Sequence, residues 1–101
     1  MYKHVVLWKL RDKADGKSKS ELAIEVKKRL DALPAHISEI KHYETAINVG
    51  DYGASFFDVS LISVFENKDT FWKYTKYPVH DKVVAYIQSV TEAEEIVDYE
   101  I

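Results

Sequence analysis

The stretch Phe71-Trp72-Lys73-Tyr74-Thr75-Lys76-Tyr77-Pro78-Val79-His80-Asp81-Lys82 decides how the chain is read. Pro78 biases Tyr77 away from the α region, so a short helix carrying Phe71 and Tyr74 ends by Tyr77. Proline suits the first turn of a helix, where its missing N–H would be unpaired anyway. A second helical piece therefore starts at Pro78 and runs to about Val90, with His80, Val83, Val84, Ile87 and Val90 along one apolar stripe. His80 thus faces inward. It also lies in the first turn, where the positive end of the helix dipole disfavours imidazolium. A neutral, inward imidazole near inward tyrosines has the properties of a general base. The competing reading makes His80 a turn-capping side chain and Tyr74 ordinary core.

Outward from that stretch, Asn67 is a good helix cap, with Asp69 at the favourable end of the dipole. Ala54 to Glu66 before it alternates as a strand with apolar residues on both faces. Glu94 to Ile101 closes the chain as another strand. Ile37 to Val49 reads as a longer strand whose mixed faces suit a sheet edge, and Asn48 to Gly53 as a loop. Ser18-Lys19-Ser20-Glu21 has capping-box spacing, and Leu22, Val26, Leu30 and Leu33 form one stripe of a helix over 18–33, stopped by Pro34. Tyr2 to Leu10 is the first strand, joined to that helix by a polar connection over 11–17.

The order is βαββαβ, with the second helix broken at Pro78. That order predicts an α+β, ferredoxin-like domain over residues 1–101, a four-stranded antiparallel sheet with its helices on one face. The other face should then be polar if it meets water. Instead Val5, Leu7, Phe57, Val59 and Leu61, or the opposite phase of these strands, would be left bare. A patch that large normally marks an interface. The simplest cover is a second copy placed sheet against sheet by a twofold axis, a homodimer whose two sheets close into a barrel.

Composition narrows the partners. The 101 residues carry a formal net charge of −3, with 47% hydrophobic and 31% charged residues, the profile of a soluble globular domain. No basic cluster is denser than Lys27-Lys28-Arg29, which fits the solvated side of a helix and argues against a nucleic-acid partner. The chain has no cysteine, so disulfides and thiolate metal sites are excluded, and a reducing, cytoplasmic setting is expected. The apolar run near the start is too short for a signal peptide or a membrane span.

Lys3-His4-Val5-Val6-Leu7-Trp8-Lys9-Leu10, Tyr74-x-x-Tyr77-Pro78-x-His80 and Ile96-Val97-Asp98-Tyr99 together resemble the stress-responsive α/β-barrel (Dabb) domain family. The likeness spans almost the whole chain, and the x-Pro-x-His motif is its most specific part. It implies a dimeric α/β barrel. It also implies, by likeness to the family's plant polyketide cyclase, an intramolecular aldol condensation needing no metal and no organic cofactor. Carried over residue by residue, the resemblance makes His80 the catalytic histidine, Tyr74 the catalytic tyrosine, His4 a pocket histidine on the first strand and Asp98 an aspartate on the last. Val59 stands where that cyclase has a further pocket histidine, and Tyr77 replaces the histidine before the proline. Those departures change the pocket wall and leave the substrate open.

The chemistry matches these residue types. Aldol closure needs a base for the proton next to a carbonyl, and a neutral histidine serves at physiological pH. A buried tyrosine hydroxyl can donate to the oxygen where charge develops. The ferredoxin-like order sets the last strand beside the first, which lets Asp98 orient His4. Three functions stay in play: a cofactor-free enzyme acting on an aromatic or polyketide-like carbonyl compound, a non-catalytic dimer holding a small apolar ligand or protecting under stress, and a monooxygenase of the antibiotic-biosynthesis type. His36 reads as surface, His42 has no ligand partner spaced for it, and the four histidines make no metal motif.

Overall fold

The computed structural model describes all 101 residues. In order come β1 (Tyr2–Leu10), β2 (Lys13–Ala14), β3 (Lys17–Ser18), α1 (Lys19–Asp31), β4 (His42–Ile47), β5 (Val59–Phe65), α2 (Lys68–Thr75), α3 (Pro78–Val90) and β6 (Thr91–Glu100). The four long strands form one antiparallel sheet ordered β4-β5-β1-β6. With the helices packed on one face, this is the ferredoxin-like α+β arrangement that the element order predicts.

Local chemistry fixes the elements. Ser18 and Glu21 form the expected capping box: Ser18 Oγ accepts from the Glu21 amide at 3.3 Å, and Glu21 Oε1 accepts from the Ser18 amide at 3.0 Å. Ser18→Ala removes one arm and should cost about 1 kcal/mol. A lower urea midpoint at unchanged slope would register that loss, and an unmoved midpoint would deny the cap its role. The connection expected to be merely polar holds the small β2–β3 hairpin, turned by Asp15 and Gly16 at positive φ (51° and 66°). Asp-Gly is well suited to that conformation.

Three expectations need correction. The strand expected over 37–49 is confined to His42–Ile47, because the segment before it runs through successive turns (His36 N–H to Leu33 O, Ile40 N–H to Ile37 O). Those turns bury Leu33 and Ile37 in the hydrophobic core. The strand expected over 54–66 begins only at Val59. The Asp58 backbone still bonds Trp8 and Asn48, but its carboxylate accepts the Leu10 amide at 2.8 Å, and the ladder with β1 goes no further. The first helix stops at Asp31, two residues short of 33.

A further adjustment concerns the bare face. Register pairs Val6 with Leu61 and Trp8 with Val59, so Val59 and Leu61 join the core under the helices. The outer face carries Val5, Leu7 and Ile62, and β6 adds Val97 opposite Val5 and Tyr99 opposite Lys3. Leu7, Val97 and Tyr99 are 38%, 60% and 42% exposed. The apolar patch is therefore present, with β5 in the opposite phase. No helix is long and apolar enough to cross a membrane.

Candidate functional site

A cavity of about 190 Å³ lies between the sheet and the α2–α3 pair. His4 and Trp8 enter it from β1, Tyr74 from α2, and His80 and Ile87 from α3. Eleven of its sixteen lining residues are hydrophobic, so its few polar groups decide its chemistry. Its mouth is marked by the exposed residues Val84, Gln88, Glu94 and Ile96.

The break at Pro78 builds this corner. α2 starts from a capping box of Asn67 and Thr70, and ends at Thr75. α3 restarts with Pro78 in its first turn and no side-chain cap. Tyr77 between them is pinned by its hydroxyl, which donates to Glu39 Oε1 at 2.7 Å. The turn brings the Tyr74 and His80 rings edge to face, with centroids 4.5 Å apart and an interplanar angle of 63°.

His80 is the electrostatically unusual group. Its Nδ1 is buried and makes no hydrogen bond. The nearest carboxylate oxygen, on Asp81, stands 3.7 Å away, too far for a hydrogen bond. Burial pushes the His80 pKa below its ordinary value; Asp81 opposes that shift, His4 adds to it, and the Thr75 backbone works against it. Asp81 itself is 72% exposed, so its field is screened by water. The ring is neutral at physiological pH. Tyr74 is pushed the other way, up to about 12, by burial, so its hydroxyl keeps its proton.

A second group stands beside it. His4 Nδ1 lies 2.6 Å from Asp98 Oδ1, and the Tyr2 hydroxyl donates to Asp98 Oδ2 at 2.8 Å. A carboxylate only accepts, so His4 donates through Nδ1. The His4 ring also packs on Phe71, with centroids 4.8 Å apart. Asp98 does not line the cavity; it holds His4 from behind.

Two residues that support the lining side chains escaped the sequence reading. Tyr43 points inward from β4, and its buried hydroxyl has no partner; burial and the neighbouring Tyr74 hold its pKa high. Its alternation with Thr45 and Ile47 was the only signal. Since an unpaired buried hydroxyl is unfavourable, Tyr43→Phe should leave stability unchanged or raise it by up to about 1 kcal/mol. A clear drop in the thermal midpoint would reveal a partner for that oxygen. Glu94 is the other: its Oε2 accepts the Trp8 indole N–H at 2.7 Å and Gln88 Nε2 at 3.4 Å. Nothing in its sequence neighbourhood pointed to the cavity.

The remaining histidines, His36 and His42, are exposed and away from the cavity. No three His, Cys, Asp or Glu side chains converge as a metal site would require.

The family model for the stress responsive A/B barrel domain matches residues 2–101. Among solved structures, one described as a dimeric protein of unknown function with a ferredoxin-like fold, from Bacteroides fragilis, is 32% identical. Its TM-score is 0.85, over 99% of this chain and 95% of that one. A hydroxynitrile lyase from Passiflora edulis shares the fold at 16% identity and TM-score 0.81, over 99% and 92% of the two chains. An antibiotic biosynthesis monooxygenase does so at 11% identity and TM-score 0.77, over 100% and 98%. Among proteins of curated function, no sequence matches. Two different chemistries on one fold at such low identity mean that the fold does not choose between them.

Proposed function

The chain belongs to the stress responsive A/B barrel domain family, and from that membership we propose that it works as a homodimer performing cofactor-free acid–base chemistry on a small carbonyl compound. Dimerisation buries the outer patch around Leu7, Val97 and Tyr99, in keeping with the Bacteroides fragilis relative described as dimeric. In the cavity, His80 takes the proton next to the carbonyl, as in an aldol-type step. The Tyr74 hydroxyl donates to the oxygen where negative charge collects. His4, oriented by Asp98, accepts or relays a second proton. One observation carries this reading: the His80 ring, held neutral by burial, lies on the wall of the cavity edge to face with Tyr74. Such a group is poised to accept a proton from whatever fills that space.

The test is hydrogen–deuterium exchange of the methyl group of acetophenone in D2O, followed by proton NMR. Exchange faster than buffer and dependent on His80 supports the reading, whereas equal rates with wild type and His80→Gln defeat it.

The second reading is a non-catalytic dimer that holds a small apolar ligand, and the mostly hydrophobic lining favours it. On that reading His80→Ala and Tyr74→Phe leave ligand affinity nearly intact. A monooxygenase reading rests on the shared fold alone; oxygen consumption with a quinol-type substrate is what it requires.

A further inference from the structure

We propose that the cavity selects uncharged, single-ring carbonyl compounds, with Glu94 at its mouth turning anions away. This rests on the cavity being the functional site proposed above and adds which molecules it takes.

Size sets the first limit. A cavity of about 150 Å³ accepts benzene, and this one measures about 190 Å³. One six-membered ring with a carbonyl substituent fits that space. A second fused ring, or a long thioester chain, must stay outside.

Charge sets the second. The titratable groups lining the cavity are His4, Tyr74, His80 and Glu94, and no lysine or arginine is among them. His80 is neutral, Tyr74 keeps its proton, and His4 is already committed to Asp98. A carboxylate or phosphate on the ligand would therefore lose its water and meet no cation. It would also pass Glu94, whose carboxylate is held at the mouth by Trp8 Nε1 at 2.7 Å and Gln88 at 3.4 Å. Like charges brought together in this way repel, an effect that water weakens at the exposed Glu94 and that adds to the loss of hydration inside.

The polar groups define what is accepted. Tyr74 offers an O–H donor for a carbonyl oxygen, and His80 a neutral imidazole for an acidic hydrogen. Val6, Leu61, Phe71, Val83 and Ile87 supply apolar wall for the ring.

The experiment compares acetophenone, benzoate and 2-acetonaphthone binding to the full chain. The readout is the Trp8 indole N–H signal in 1H–15N NMR titrations, since that group lines the cavity. Acetophenone should shift the signal saturably, with benzoate and 2-acetonaphthone each at least about tenfold weaker. Glu94→Gln, which keeps an oxygen to accept the indole N–H, should raise benzoate affinity relative to acetophenone severalfold. Benzoate binding as tightly as acetophenone, a ratio unmoved by Glu94→Gln, equal binding of 2-acetonaphthone, or no binding of acetophenone overturns the proposal. The two readings separate cleanly. Selective binding without methyl exchange defeats the catalytic reading alone. His80-dependent exchange inhibited equally well by benzoate defeats the selectivity alone.

Discussion

Val97→Asp should turn the dimer into monomers at micromolar concentration, halving the mass seen in sedimentation from twice the 11.7 kDa chain to one. Val97 is 60% exposed on the outer face, beside Val5 in the sheet register. Little of the protomer's own packing is lost by changing it. A twofold axis puts the substitution into the interface twice. Each copy then buries an unpaired carboxylate against apolar surface, a cost of several kcal/mol per charge after relaxation, and forfeits about 1.5–3 kcal/mol of apolar burial. Circular dichroism should report an intact fold in the variant. An undissociated dimer would place the interface on another face, and a wild-type monomer would remove the dimer altogether.

His80→Gln should reduce ketone proton exchange by roughly 10²–10⁴-fold, the usual contribution of a positioned general base. Glutamine keeps polarity and much of the volume but accepts a proton poorly. In the wild type the rate should rise with pH to a plateau whose midpoint lies below the ordinary histidine value of 6.5, because burial lowers this pKa. Stability follows the same linkage. The folded chain keeps His80 neutral where the unfolded chain already binds a proton, so stability falls as pH drops below 6.5, until the folded ring is protonated too. His80→Gln removes that part of the acid sensitivity. A rate midpoint above the ordinary value, or a variant as sensitive to acid as wild type, would speak against a buried neutral imidazole.

How much of this was legible in the sequence follows from the range of each signal. Pro78, the Ser18–Glu21 box and the Asn67 cap act within four residues, and each ends or starts an element where the sequence placed it. The pairing of His4 with Asp98 came from topology, which sets the first and last strands side by side. The strand limits were not legible. Asp58 ends a strand by reaching across to the amide of Leu10, and Ile37 enters the core from a turn rather than a strand. Both depend on partners distant in sequence. The same holds around the cavity: Tyr43 and Glu94 matter because of Tyr74 and Trp8, which lie 31 and 86 positions away.

The most direct test of the central claim is a pH titration of the His80 ring by long-range 1H–15N NMR, with and without acetophenone. A midpoint below 6.5 that moves when acetophenone is added is the expected result. A midpoint at or above 6.5, indifferent to acetophenone, contradicts a neutral imidazole facing the ligand.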